Sequence, residues 1–313
     1  MVNYQKAVMI GCGFVGSATV FALMESGLFS EIVMIDQDYV KAEGEAMDIS
    51  HGIPFAHQMK IYAGTYEDIE DAGIVIITAG SNQKYGETRL DLAYKNVTIM
   101  RSIIGEIKQR NFEGILLIVS NPVDILTRVA QEVSGYPPNR VIGSGTVLDT
   151  GRLKYKLSEH LEVDTKNVHA FIIGEHGDSE IVAWESANVS GITLDKFCEM
   201  RGHYHHDEAE ADIAEAVKIS AYEIISRKHA TYYGVAMAVR RICEVIVRDE
   251  RSILPVSTLM TGAYGISGVV LSMPCIVGKN GIETQVPIEL TPDEIKALKK
   301  SAETLKGIYD SVI

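Results

Sequence analysis

The sequence is short of every feature that would mark a secreted, membrane-spanning or nucleic-acid-binding chain. It holds only four cysteines, Cys12, Cys198, Cys243 and Cys275, scattered with no C-x-x-C and no metal-ligand spacing. Such thiols suit a reducing compartment and stay free and structural. No uninterrupted apolar run reaches the ~18 residues needed to cross a bilayer. Met1 to Lys6 is polar and leads directly into a strand pattern, so no signal peptide is expected. Positive charge is outnumbered, with 29 Lys and Arg against 42 Asp and Glu, a net charge of −13. That field excludes a general nucleic-acid binder and an anionic-membrane binder. A small anionic substrate would have to be held by locally placed arginines. Low-complexity tracts and repeats are also missing. The expectation is a soluble, cytoplasmic chain with neither membrane nor nucleic acid as partner.

What remains is ordinary globular material: 313 residues, 46% hydrophobic and 23% charged. That length buries one large core or two joined domains. Ala7–Ile10 is a short apolar run ending in Gly11-Cys12-Gly13-Phe14-Val15-Gly16, and Ser17 to Leu28 follow with helical composition. Strand, G-x-G-x-x-G, helix is the context in which the glycine motif has a mechanism. The first glycine permits a tight turn, the second lets backbone approach a pyrophosphate, and the third packs helix against strand. The next strand, Ile32–Ile35, ends at Asp36. An acid there accepts hydrogen bonds from ribose hydroxyls and repels a 2′-phosphate, favouring NAD over NADP; it would also serve as a plain turn residue.

Apolar strands at Lys60–Ala63, Ile74–Ala79, Ile115–Ser120 and Arg140–Gly143 alternate with helical stretches. That pattern predicts a parallel sheet covered on both faces, with ligands beyond the strands' carboxyl ends. Three of those ends carry candidate cofactor contacts: Gly11 to Gly16, Ala79-Gly80, and Ser120-Asn121-Pro122. Asn121 reads as a reach toward a cofactor ribose or substrate oxygen, or as the N-cap of the helix that Pro122 starts. The polar segment Ser81 to Arg89 reads as a loop, solvated or mobile.

Past Ser144-Gly145-Thr146 the alternation stops. The predicted division is a Rossmann domain over 1–145 and a mixed α/β substrate domain over 146–313. Val147 opens a helix to about His160, and Asp149 and Arg152 share one of its faces. They read either as a surface ion pair or as groups with separate partners, a histidine for Asp149 and a substrate carboxylate for Arg152. Val168–Ile173 reads as one buried strand delivering Gly174-Glu175-His176-Gly177-Asp178, with the glycines leaving space around the His176 ring. Read alone, that is a turn with a surface histidine. Read with a base-tuning acid nearby, it is a proton donor working near neutral pH. His203-Tyr204-His205-His206 fits no closed metal site and reads as an exposed loop. The chain closes with a helix capped by Thr291, Pro292 and Glu294.

Taken in order, G-C-G-F-V-G with Asp36, G-E-T-R-L-D-L at 86–92, S-N-P-V-D at 120–124, L-D-T-G-R at 148–152 and G-E-H-G-D at 174–178 resemble the L-lactate/malate dehydrogenase family, nearly end to end. The resemblance implies a tetramer or dimer, NAD, and stereospecific hydride exchange with 2-hydroxy acids. By that resemblance the catalytic histidine falls on His176, its orienting aspartate on Asp149, the carboxylate-binding arginine on Arg152 and the carbonyl-polarising loop arginine on Arg89. Asn121 and Thr231 match pocket residues, and Gly11, Gly13, Val15, Gly16, Asp36, Ala79, Gly80, Ser120 and Asn121 match the NAD site. No metal is required. The family position at Gln83 is usually arginine in malate dehydrogenases and glutamine in lactate dehydrogenases. A neutral amide leaves a second carboxylate unneutralised in a closed site, so Gln83 points to pyruvate and L-lactate, the closing couple of homolactic fermentation. Malate oxidation is the alternative within the family, and a non-catalytic NAD-binding protein the alternative outside it. Tyr85 replaces a common proline in the loop. Lys154 and His169 match a basic residue and a histidine that bind fructose 1,6-bisphosphate as an activator in some relatives. Lys154 replaces the usual arginine, keeping charge but losing the fork.

Overall fold

The computed structural model of the chain describes residues 2–81 and 89–313. Gln83 and Tyr85 lie outside those residues, as does the side chain of Arg89, whose backbone opens a helix.

The chain runs β1 (Asn3–Ile10), α1 (Phe14–Ser26), β2 (Glu31–Ile35), α2 (Tyr39–Ser50), β3 (Lys60–Ala63), β4 (Ala72–Ile77), α3 (Arg89–Lys108), β5 (Ile115–Ile118), α4 (Val123–Ser134) and β6 (Val141–Gly143). The six strands line up as β3-β2-β1-β4-β5-β6, all parallel. The four central strands bury nearly every side chain because helices cover both faces: Val8, Val33, Val75 and Leu116 face one apolar cluster, and Met9, Met34, Ile76 and Leu117 the other. The strand order reverses between β1 and β4, where a doubly wound sheet opens its ligand crevice.

The second half continues with α5 (Val147–Leu161), β7 (Val168–His169), β8 (Ile172–Gly174), β9 (Glu180–Val182), β10 (Asn188–Val189), β11 (Ile192–Thr193), α6 (Leu194–Met200), α7 (His206–Lys228), α8 (Tyr233–Val247), β12 (Ser252–Thr261), β13 (Ser267–Gly278), β14 (Gly281–Gln285) and α9 (Pro292–Val312). It is mixed α/β, as expected, but its long hairpin is not a separate sheet. Antiparallel β12 joins β6 at a single register pair, Ser257 with Gly143, so one sheet runs on through β13, β8 and β9. That seam has no spare room. A Cβ on Gly143 would stand 2.5 Å from Thr127 Oγ1 and 2.6 Å from Ser257 Cβ.

The apolar run 168–173 is not one strand. Val168 and His169 belong to a three-stranded sheet with β10 and β11, while Ile172 to Gly174 join the large sheet. Ala170 and Phe171 carry the chain between them, and His169 is exposed rather than buried in a core. α9 begins as its sequence dictates: Thr291 accepts from the Glu294 amide at 3.2 Å, and Glu294 accepts from the Thr291 amide at 2.7 Å. All four cysteines are free and buried. No helix among the described residues is long and apolar enough to cross a membrane.

Candidate active site

The three strand ends singled out from the sequence meet where β1, β4 and β5 stop. Gly11 has φ +103°, and a Cβ there would lie 2.5 Å from the Ala79 amide nitrogen. A Cβ on Gly16 would strike the carbonyl of Gly11. Only glycine fits at either place. Gly13 differs, since a Cβ on it would meet nothing within 4 Å, leaving its backbone open at the start of α1. That combination, two glycines crowded by protein and one facing open space, fits a dinucleotide's pyrophosphate against a helix N-terminus. Val15 sits half-buried in the first turn of α1. Ser120 donates to the Ala79 carbonyl at 2.6 Å, tying the ends of β4 and β5 together.

Asp36 closes this end of the sheet. Its carboxylate accepts from the Cys12 amide at 2.7 Å and the Asp38 amide at 3.0 Å. Each oxygen keeps acceptor capacity beyond those bonds, enough for ribose hydroxyls. Asn121 is not a helix cap: Pro122 holds the N-cap position of α4, with no side-chain cap bond. Asn121 is exposed, and its carbonyl accepts from Asn96 at 2.7 Å. The buried Asn96 also accepts from the Ser81 amide through Oδ1 at 2.7 Å and donates from Nδ2 to the Ser81 carbonyl at 3.3 Å, with Gly80 packed against it. Nothing in a lone Asn on α3 marked that tie in the sequence.

The acid–base group forms on α5 and the turn after β8. Asp149, 2% exposed, accepts from His176 Nδ1 at 2.6 Å through one oxygen and from Arg152 at 2.8 Å through the other. The α5 pair is therefore an i,i+3 ion pair, but a largely buried one rather than a surface one, and Asp149 still grips the histidine. With Nδ1 committed to Asp149, Nε2 is the nitrogen left for chemistry. Burial alone would depress the His176 pKa, but the charge and hydrogen bond of Asp149, with Asp124 and Glu180 behind it, raise it to about 9. Asp149 goes the other way. Its burial penalty is outweighed by His176 and Arg152, which hold the carboxyl below its ordinary value.

Gly174 is set by packing rather than by space for the ring. A Cβ on Gly174, at φ +88°, would press on Ile181 and Ser301, so this glycine is there for close packing with β9 and α9. The Glu175 amide donates to Ser301 at 3.0 Å, and Tyr222 of α7 donates to Asp178 at 2.7 Å. These bonds hold both shoulders of the turn.

Two acids that the sequence did not single out complete the electrostatics. Asp124, in the first turn of α4, accepts from the His176 amide at 2.8 Å and from the Ser257 hydroxyl at 2.6 Å. Burial pushes its carboxyl up to about 6. Glu180, paired with Gly174 across β9 and β8, is raised to about 8 by burial and by Asp149. Asp124 was on view inside S-N-P-V-D, but its partner lies 52 residues away. No hydrogen bond among the described residues ties Thr231, Lys154 or His169 to this group. Thr231 is half-buried in the connector before α8. Lys154 is half-buried on α5 with its amine lowered by burial, and His169 is exposed on β7, which packs against α5. His203 to His205 form the approach to α7, which His206 opens, and the His203 ring lies 4.3 Å from that of His160, tilted by 38°.

A glycine-framed dinucleotide crevice beside a charge-tuned histidine has known counterparts. Residues 5–143 match the model for the lactate/malate dehydrogenase NAD binding domain, and residues 146–313 that for the lactate/malate dehydrogenase alpha/beta C-terminal domain. Over 308 residues the chain is 55% identical to an L-lactate dehydrogenase of Acetivibrio thermocellus, covering 98% of this chain and 97% of that one. The solved minor L-lactate dehydrogenase of Enterococcus mundtii, in its ligands-bound form, matches with a TM-score of 0.96 at 42% identity over 98% of both chains. A lactate dehydrogenase from a deep-sea metagenome library also gives 0.96, at 44% identity over 100% of this chain and 99% of that one. The chain belongs to the lactate/malate dehydrogenase family and is an NAD-dependent oxidoreductase.

Proposed function

We propose that this enzyme reduces pyruvate to L-lactate, reversibly, with residues 1–145 holding the cofactor and residues 146–313 supplying the acid–base group. The observation that carries the reading is Asp149 gripped on both oxygens, one by His176 and one by Arg152. NADH, when bound, supplies the hydride. Gly11, Gly13, Val15 and Gly16 would hold its pyrophosphate, and Asp36 its ribose, with Ala79, Gly80, Ser120 and Asn121 along the crevice. His176, kept as imidazolium through neutral pH, donates its Nε2 proton to the keto oxygen. Asp149 holds the ring in one orientation and stabilises the charge. Arg152 presents its remaining N–H groups to the substrate carboxylate, which fixes the face that receives the hydride. Arg89 polarises the carbonyl, Thr231 lines the pocket, and Gln83 leaves it without a counter-charge for a second carboxylate.

The test follows NADH absorbance at 340 nm with pyruvate and with oxaloacetate. A higher kcat/KM for pyruvate is expected; a higher value for oxaloacetate overturns the assignment. Activation by fructose 1,6-bisphosphate at Lys154 and His169, in a tetramer, belongs to the same reading. Its support is that the two residues sit on elements packed against each other, α5 and β7. Dilute enzyme assayed with and without the bisphosphate decides it, and an unchanged rate sinks it.

A further inference from the structure

The least explained charge near the reaction is Asp124. It stands in the first turn of α4, three positions after Asn121, and is 2% exposed. One oxygen accepts from the backbone amide of His176 at 2.8 Å, and the other from the hydroxyl of Ser257 at 2.6 Å. Ser257 is the residue at which β12 meets β6. A single carboxylate thus joins the helix that follows the Asn121 loop, the turn that carries the histidine, and the seam between the two halves of the sheet.

We propose that Asp124 is a positioning residue for the reduction, fixing the His176 turn to α4 and β12 and adding a second negative charge that favours the imidazolium. The proposal rests on the acid–base role given to His176 above.

Hydrogen bonding alone does not require an acid here. An asparagine of the same shape would offer an acceptor to the His176 amide without the cost of burying a charge. That cost is real, since burial raises the Asp124 carboxyl to about 6 even with both bonds made. The ionised form is helped by its place at a helix N-terminus and by the charge of His176. Glu175 opposes it from the turn. On its other side Asp124 lines a cavity of about 170 Å³ with Arg128 of its own helix and Lys306, Tyr309 and Asp310 of α9. An expensive charge kept directly behind a catalytic backbone is a mark of function rather than packing.

Three variants separate the contributions. Asp124→Asn keeps an acceptor and removes the charge. Asp124→Ala removes both, and Ser257→Ala loosens the anchor while leaving the charge. Each is read for pyruvate kcat and KM, NADH dissociation constant, Tm, and the His176 titration midpoint by NMR of histidine-labelled protein. Asp124→Asn is expected to lower the His176 midpoint and move the alkaline limb of the reduction down with it, with Tm held or raised. Asp124→Ala is expected to cost about 10- to 100-fold in kcat, the scale of a small misplacement of a reacting group, with the NADH constant unchanged. Ser257→Ala is expected to cost less, without lowering the midpoint; it carries the positioning test should Asp124→Ala not fold. An unmoved midpoint in Asp124→Asn overturns the charge role. Activity losses that follow only Tm or NADH binding overturn the positioning role. The NMR midpoint needs no turnover, so a wild type that fails to reduce pyruvate refutes the reaction assigned above without touching this measurement.

Discussion

The cofactor end and the acid–base end of the site are built by opposite means. At the cofactor end the protein works with backbone: Gly11 and Gly16 are glycines because other main-chain atoms occupy the space a Cβ needs. The geometry there is steric. At the acid–base end it works with charge: Asp149, Arg152, His176, Asp124 and Glu180 come from two helices, a turn and a strand. One end should fail by collision and the other by titration, and each can be broken without the other.

The largest effect expected is from His176→Asn. Losing the proton donor should lower kcat by about 10²–10⁴-fold, while NADH binding, measured by fluorescence titration, stays as in the wild type. Gly16→Ala is the reverse. Its methyl meets the Gly11 carbonyl, so the NADH constant should rise by about tenfold, roughly 1.4 kcal/mol, with kcat at saturating NADH retained. If both variants lost binding and turnover alike, the two ends would not be separable.

Acidity sharpens the contrast. The His176 pKa is raised to about 9 from an ordinary 6.5. Pyruvate reduction needs the imidazolium, so its rate should hold through neutral pH and fall about tenfold per unit above that midpoint. Lactate oxidation, which needs the neutral ring, should rise over the same range. The linkage has the same sign. The pairing stabilises the fold fully below pH 6.5 and is lost as pH climbs through about 9, so Tm should decline there. Cofactor binding at the glycine loop should not follow that curve. The smallest effect touches neither group directly. Thr291→Ala breaks the capping box of α9 and should cost about 1 kcal/mol of stability in urea titrations, leaving turnover alone.

The same contrast explains how much was legible in the sequence. The parallel sheet was, because buried strands declare themselves as apolar runs and the strand, the glycine motif and the helix follow one another within Ala7 to Leu28. The α9 cap was legible for the same reason. The break at Ala170-Phe171 was not, since two short strands joining different sheets leave the same apolar run as one. Nor was the joining of β12 to β6, which rests on one register pair between residues far apart. Asp124 and Glu180 read as ordinary acids until the fold set them around His176. The turn glycine Gly174 was visible, but its reason was not, because Ser301 and Ile181 reach it from other elements.

The seam at Gly143 and Ser257 has a mechanical meaning. Strands that meet with no clearance cannot slide or pivot against each other, so the shelf that receives the dinucleotide and the arm that brings the proton form one rigid part. The span between donor and acceptor is then machined in at folding, and each catalytic cycle inherits it instead of having to find it again.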